Sequence, residues 1–393
     1  MQFRFTPEEE AFRWELLDFL DRELPSGWEG ADRFGEEEDE QQEVWEFRRQ
    51  FTHKLAERGW LAMAWPKDYG GLGASHMQQL IYNEVMSYHN APGAFSMGVA
   101  WVGPAIMLYG TDEQKRTYVP RIASGEDVWC TLYSEPGAGS DLAALQTRAV
   151  LDGDDFVVNG QKIWTSNAHR SQWGWLAART DPEAPKHKGI STFVVDMRTP
   201  GIAIRPLINM AGMPGFSEVF FDNVRIPKEN LVGELNRGWY QVAVALDFER
   251  SGIQTYAGVR RILERLVDFA RSASPKAARN PQVRLRLADR AVELEAGTFM
   301  AYRVTWMQSR GLIPNYEASI SKLYGSELAQ RVAHTGLQLL GTYGHLWPGS
   351  PWAPLGGRLA RSYVTAVGAT IAAGTSEIMR NIIAQRGLGL PRD

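Results

Sequence analysis

Apolar residues recur at helical spacing along the first third of the chain. "TPEEEAFRWELLDFLDREL" offers Thr6 as an N-cap, Pro7 in the first turn and acids behind it, after which Phe12, Leu16, Phe19 and Leu20 follow at helical intervals. The acidic stretch "EGADRFGEEEDEQQEVW" reads as a solvated connection between helices, and "WPKDYGGLG" (65–73) as a turn-rich break. From about residue 126 the pattern changes to β-type runs. "TRAVLDGDDFVVNGQKIWTSN" carries two hairpin signals, "DGDD" and "NG", and "ISTFVVDM", "GIAIRPL" and "SEVFFDNVRI" read as further strands. Helical periodicity returns from about residue 236, with breaks near "SASPKAARNPQ", "GLIPNYEAS" and "GHLWPGSPWAP". The pattern predicts an α+β chain: an N-terminal helical domain (1–125), a middle β domain (126–235) and a C-terminal helical domain (236–393).

One stretch breaks its own pattern. In "VALDFERSGI" (244–253) the residues Leu246, Glu249, Ile253 and then Tyr256 are spaced for one face of a continuous helix. That phase puts Glu249, a carboxylate, on the apolar stripe.

Bulk properties narrow the function. The chain has 393 residues, 44% hydrophobic and 22% charged, enough to bury a large core and a large ligand. A net charge of −4 without a basic block argues against nucleic acid. A single cysteine, Cys130, rules out an intrachain disulfide and suits the cytoplasm; it reads as a small buried apolar residue. The start lacks a signal-peptide layout, and no apolar run is long enough to span a bilayer.

Several stretches carry candidate chemistry. "YSEPGAGSDL" (133–142) has Gly137 and Gly139 for close backbone approach, with Ser134 and Ser140 as hydroxyl donors. The plain alternative is an ordinary tight turn. In "NGQKIWTSNAH" (159–169), strand alternation puts Trp164 and Ser166 on one face, suited to a planar ring; in isolation Trp164 reads as a core residue. "AAGTSE" places Thr375 as the N-cap of a late helix, where an anion or simply a cap is served. The histidines show no metal-ligand spacing, and no G-x-S-x-G elbow is present, so no metal and no hydrolase triad are assigned.

Together these stretches resemble the acyl-CoA dehydrogenase family of flavoproteins. "WPKDYGGLG", "YSEPGAGSDL", "VNGQKIWTSN", "DNVRIPKENLVGELNRGW", "QLLGTYG" and "AGTSEIMRNIIA" stand in the family's order over nearly the whole chain. The resemblance implies the acyl-CoA dehydrogenase fold, with a β-barrel-like middle domain and a C-terminal four-helix bundle. It implies FAD, an acyl-CoA substrate and an electron-transferring flavoprotein as acceptor. It also implies a homotetramer or homodimer, with a mixed tetramer as a variant. For cofactor contacts it points to Thr131, Tyr133, Ser134, Gly139 and Ser140 in the loop, and to Trp164, Thr165 and Ser166 against the flavin ring. Gln338 and Gly341 resemble residues that meet the ADP half, in relatives from a neighbouring subunit, and Thr375 and Glu377 resemble flavin contacts. For the substrate it points to Ser140, Asp247, Arg250 and Gly374.

The chain departs from the family's commoner pattern in three places. Ala373 stands where many relatives carry the catalytic glutamate, Gly341-Thr342 replaces a pair of glycines, and "AARNPQVRLRLAD" replaces an Arg-x-x-Phe-Gly segment. The reaction removes an α-proton and a β-hydride from the acyl thioester, so a carboxylate must accept the proton. Relatives of the isovaleryl-, long-chain- and steroid-side-chain type place it on a helix just before an arginine, which matches Glu249-Arg250. Burial disfavours a charged carboxylate and moves such a base toward neutrality. The small Ala373 leaves room for a branched or bulky acyl group. Competing readings are an oxygen-using relative, acyl-CoA oxidase or flavin monooxygenase, and a supporting subunit of a mixed tetramer.

Overall fold

In the computed structural model, which describes residues 4–28, 42–212, 214–245, 251–272 and 278–391, the chain runs from helices to strands and back to helices. The first helices are α1 (Pro7–Glu23), α2 (Gln42–Glu57), α3 (His76–Tyr88), α4 (Gly103–Tyr109) and α5 (Asp112–Ala123). Then come β1 (Trp129–Leu132), β2 (Arg148–Asp152), β3 (Asp155–Ser166), β4 (Trp173–Arg179), β5 (Ile190–Asp196), β6 (Ile202–Leu207), β7 (Phe216–Pro227) and β8 (Leu231–Val232). The closing helices are α6 (Gly238–Ala245), α7 (Ile253–Ser272), α8 (Pro281–Ser309), α9 (Tyr316–Leu340), α10 (Arg358–Ala369) and α11 (Ser376–Ile382). No helix among the described residues is long and apolar enough to cross a membrane.

Helices begin where their capping residues dictate. Thr6 accepts the Glu9 N–H while the Glu9 carboxylate accepts the Thr6 N–H, and Pro7 fills the first turn of α1. Ser75 with Gln78 and Thr111 with Gln114 start α3 and α5 in the same way. The acidic stretch expected as a connection lies, up to residue 41, outside the described residues.

The chain divides into two compact units. The first comprises residues 36–74 and 95–249 and contains the whole sheet, ordered β6-β7-β3-β2-β4-β5-β8 with β1 pairing to β4. Strands β4 and β5 are buried on both faces. Trp175, Ala177, Ile190 and Val194 enter one core with residues of α4, α5 and α6, while Leu176, Ala178, Phe193 and Val195 enter the other. That second core also takes Phe156 and Val158 of β3 and Val219, Phe221 and Val224 of β7. The Phe156 and Phe193 rings lie 4.9 Å apart although β3 and β5 are not neighbours in the sheet, so the sheet curls over this core.

The second unit comprises residues 1–35, 75–94 and 250–393. Its core joins Leu80 of α3 to Tyr256, Leu263 and Leu266 of α7, Leu294 and Ala301 of α8, and Leu328, Val332 and Leu337 of α9. The Tyr256 ring fits between two backbones. A Cβ at Gly297 would lie 2.2 Å from its Cε1, and one at Gly325 would lie 3.1 Å from its Cζ.

Two local expectations are corrected. The "DG" signal is a turn, since Asp152 pairs with Asp155 across Gly153 and Asp154. The "NG" signal is not: Asn159 and Gly160 lie inside β3, at a register shift against β7. Second, the helix that carries Ile253 and Tyr256 does not continue back through Ser251 and Gly252. Ser251 and Gly252 are non-helical, Gly252 has φ 71°, and α7 starts only at Ile253. Asp247, Glu249 and Arg250 themselves lie outside the described residues.

Candidate functional site

In the sheet unit, the two motifs around Ser134 and Trp164 come together. The loop after β1 folds back through a turn at Pro136 and Gly137, closed by reciprocal backbone bonds between Glu135 and Ala138 at 2.9 and 3.0 Å. It is fastened to β3 by the Ile163 N–H, which donates to the Ser134 carbonyl at 2.9 Å. Beneath it, the fully buried Lys162 Nζ donates to Glu135 Oε1 at 2.7 Å and to the Tyr133 carbonyl at 3.0 Å. Glu135 also accepts the N–H groups of Gln146 (2.6 Å) and Thr147 (2.9 Å). Burial pulls the Lys162 ammonium down to about 8, against the opposing pull of Glu135. Burial would raise the Glu135 carboxyl, but the Lys162 charge and these hydrogen bonds together hold it below its ordinary value.

Next to this anchor the strand is distorted. Register shifts between Lys162 and Thr165, and Trp164 takes φ 61°, a left-handed conformation that is strained for a bulky residue. The bulge resets the alternation ahead of Trp164, and Trp164 and Ser166 are both accessible on either side of the buried Thr165. Trp164 is not a core residue: it is 54% exposed, with its ring edge-on to Phe216 at 6.0 Å. Between them Thr165 is buried, and its hydroxyl has no hydrogen-bond partner among the described residues. Its cross-strand partner Ser217 has a second buried hydroxyl in the same condition.

The glycines of the loop agree with a ligand. Neither Gly137 nor Gly139 has a left-handed φ, and a Cβ at either would meet no protein atom within 4 Å. The chain's own packing therefore does not demand glycine there. Ser140 and Gly139 are exposed, Ser134 and Thr131 half-buried. An exposed, conformationally held indole beside unpaired hydroxyls and an open glycine loop fits a flat cofactor with polar edges.

In the helical unit, Thr375 caps α11, accepting the Ile378 N–H at 3.2 Å. Ala373 (φ 53°) and Gly374 (φ 94°) precede it in left-handed backbone. Glu377 is exposed; its own backbone N–H and the Thr375 hydroxyl hold its carboxyl below the ordinary value. With Gln330, Thr370, Ser376 and Arg380 it lines a recess of about 390 Å³, where the buried Ser376 hydroxyl has no partner among the described residues. Gln338 sits on the exposed side of α9 and Gly341 ends that helix with φ 60°. The Gln338 amide oxygen accepts from Arg286 Nη1 at 2.6 Å, and its nitrogen lies 2.7 Å from His334 Nε2.

The arrangement brings Thr131, Tyr133, Ser134, Gly139 and Ser140 to one loop beside Trp164, Thr165 and Ser166. It brings Gly374, Thr375 and Glu377 to another, and leaves Gln338 and Gly341 at the end of α9. Sequence reasoning missed Glu135, Lys162 and Arg286. A lysine inside a β-type run was a visible signal for Lys162; nothing local marked Arg286, which meets Gln338 from 52 positions away.

The order of helices, curled sheet and helices is an α+β architecture, and its sheet carries an open aromatic and hydroxyl-lined loop. Models of the acyl-CoA dehydrogenase N-terminal, middle and C-terminal domains match residues 6–126, 130–224 and 236–388. The chain belongs to the acyl-CoA dehydrogenase family of oxidoreductases. It is 38% identical to acyl-CoA dehydrogenase FadE26 of Mycobacterium tuberculosis (strain ATCC 25618 / H37Rv), covering 100% of this chain and 99% of that one. It is similar to the solved "Tcur3481-Tcur3483 steroid ACAD", with 36% identity, a TM-score of 0.88 and full coverage of both chains. It is likewise similar to the ChsE4-ChsE5 complex from Mycobacterium tuberculosis, with 37% identity, a TM-score of 0.88 and full coverage of both.

Proposed function

We propose that this chain is an FAD-dependent acyl-CoA dehydrogenase that converts a branched or ring-bearing acyl-CoA into its trans-2-enoyl-CoA. The observation that carries the cofactor is Trp164, half exposed and held in left-handed backbone beside the unpaired Thr165 hydroxyl. In this reading Thr131, Tyr133, Ser134, Gly139, Ser140, Trp164, Thr165 and Ser166 hold the flavin side of FAD. Thr375 and Glu377 add flavin contacts, and Gln338 and Gly341 take the ADP half. FAD, when bound, supplies the acceptor for the β-hydride.

The chain's own residues supply the rest. Glu249 accepts the α-proton on its carboxylate, because Ala373 has none to offer. Asp247, Arg250 and Ser140 line the acyl-CoA site. Gly374 and the Ala373 backbone N–H orient the thioester oxygen as it gains negative charge. The small side chain of Ala373, and the steroid named for one similar structure, favour bulky acyl groups.

The domain limits 1–125, 126–235 and 236–393, an electron-transferring flavoprotein as acceptor and a cytoplasmic location belong to the same proposal. So does assembly as a homotetramer, a homodimer or a mixed tetramer. Two observations support assembly. Both similar structures are named for two different chains. On α8, Leu285, Val292, Phe299 and Trp306 recur every seventh residue and are all exposed, a stripe suited to a partner helix.

The test is anaerobic bleaching of the FAD-loaded protein by straight, branched and ring-bearing acyl-CoAs. Bulky thioesters should bleach the flavin fastest. Glu249→Gln should keep its yellow colour and its ligand-induced spectral shift yet lose bleaching. An unchanged bleaching rate in that variant would refute the base assignment.

A further inference from the structure

Two adjacent residues of α9 hold main chain in two different places. Ser321 Oγ donates to the Ser251 carbonyl at 2.7 Å, and the Ser321 carbonyl accepts the Tyr256 hydroxyl at 2.6 Å. Lys322 Nζ donates to the carbonyls of Gly374 at 2.5 Å and Ala369 at 3.2 Å. Thus a single turn of α9 grips both the lead-in to α7 and the loop between α10 and α11. In the sequence the first follows directly on Glu249-Arg250, and the second contains Ala373 and Gly374.

Every acceptor is a backbone carbonyl, so the contacts fix the path of the chain rather than a side chain. Both paths need fixing. Gly252, Ala373 and Gly374 have φ of 71°, 53° and 94°. For alanine the left-handed region is strained, and it persists only where surroundings over-determine it. Ala369 is the last residue of α10, where carbonyls lack helical partners and a cation is favoured. Lys322 is therefore matched to its place by charge as well as by hydrogen bonding. Burial pulls its pKa below the ordinary value, while the Glu327 and Glu377 carboxylates resist that fall. Ser321 is itself held: the Tyr256 ring that bonds to its carbonyl is locked between Gly297 and Gly325.

We propose that Ser321 and Lys322 are positioning residues for the dehydrogenation, giving the chain beside the base and the turn that orients the thioester one common anchor on α9. This rests on the reading of Glu249 and Gly374 given above. Neither residue touches the reacting atoms in it; they act through the backbone they hold. A displacement of about 1 Å at such groups lowers the rate on the order of 100-fold while leaving binding largely intact.

The experiment uses the FAD-loaded full chain and its Lys322→Met, Lys322→Arg and Ser321→Ala variants, with two readouts. Amide hydrogen exchange without substrate tests the anchor itself. Lys322→Met should speed exchange over residues 370–376 by about tenfold or more, and Ser321→Ala should do so over 251–256, with the core of α8 unchanged. Stopped-flow bleaching tests positioning. Lys322→Met should lose about 10- to 100-fold in the limiting rate with little change in the half-saturating acyl-CoA concentration, and Lys322→Arg should recover most of it. Unchanged exchange in both loops overturns the anchor. Faster exchange with a wild-type bleaching rate, or Lys322→Arg as slow as Lys322→Met, overturns positioning. A wild-type protein that no acyl-CoA bleaches overturns the parent reading, and the exchange result then still decides the anchor.

Discussion

Removing Glu135 should cost more than removing its partner Lys162, and the structure says why. The Glu135 carboxylate serves three donors: Lys162 Nζ at 2.7 Å and the N–H groups of Gln146 and Thr147 at 2.6 and 2.9 Å. Glu135→Ala leaves a fully buried ammonium with only the Tyr133 carbonyl, and two backbone N–H groups without their acceptor. Breaking a buried pair in this way costs about 3–5 kcal/mol, and orphaned donors add about 1 kcal/mol or more. The expected loss is therefore about 4–6 kcal/mol. Lys162→Met keeps similar volume and leaves the carboxylate with both N–H donors, so about 2–3 kcal/mol is expected. Urea melts followed by tryptophan fluorescence, with unchanged slope, give both numbers. The pH dependence supplies a second check. Because the folded Glu135 carboxyl lies below its ordinary value, its contribution is present above that value and disappears as pH falls through the folded one. Glu135→Ala should lose that part of the acid sensitivity. A Lys162→Met variant as unstable as Glu135→Ala would refute the view that the carboxylate, rather than the ammonium, is the hub.

Two further outcomes follow from packing. Gly297→Ala should destabilise the helical unit by about 1–3 kcal/mol, since its Cβ would sit 2.2 Å from Tyr256 Cε1 and Gly325 blocks the ring's retreat; a thermal melt at the wild-type temperature would contradict this. Cys130 should resist alkylation in the folded protein and react only in denaturant, because it is fully buried and burial pushes its thiol up to about 12. Labelling of the native chain at the rate of a free thiol would show that this core opens.

Local signals were read correctly where the physics is local. Thr6 and Thr375 sit three residues from the N–H groups they cap, so those two helix starts are written in the sequence. Asp152 to Asp155 is likewise self-contained as a turn. "NG" at 159–160 has the same local chemistry, yet the pairing of β3 with β7 runs through it. Trp164 shows the same limit from the other side. By composition it is a core residue, and only the bulge against β7 turns it outward, next to hydroxyls left unpaired.

The motifs and their order were enough to mark the family and the three-part fold, because each motif is a short segment whose residue types serve one local geometry. The helical phase that set Glu249 beside Ile253 was not enough. Ser251 and Gly252 are non-helical and α7 starts only at Ile253, so a face assignment does not carry across them. The contacts of Lys162 with Glu135, Gln338 with Arg286, and Lys322 with Gly374 join residues 27 to 52 positions apart. Composition and periodicity encode no such distances; packing of β3 under its loop, and of α9 against its neighbours, decides which polar groups meet and so which are left to meet a ligand.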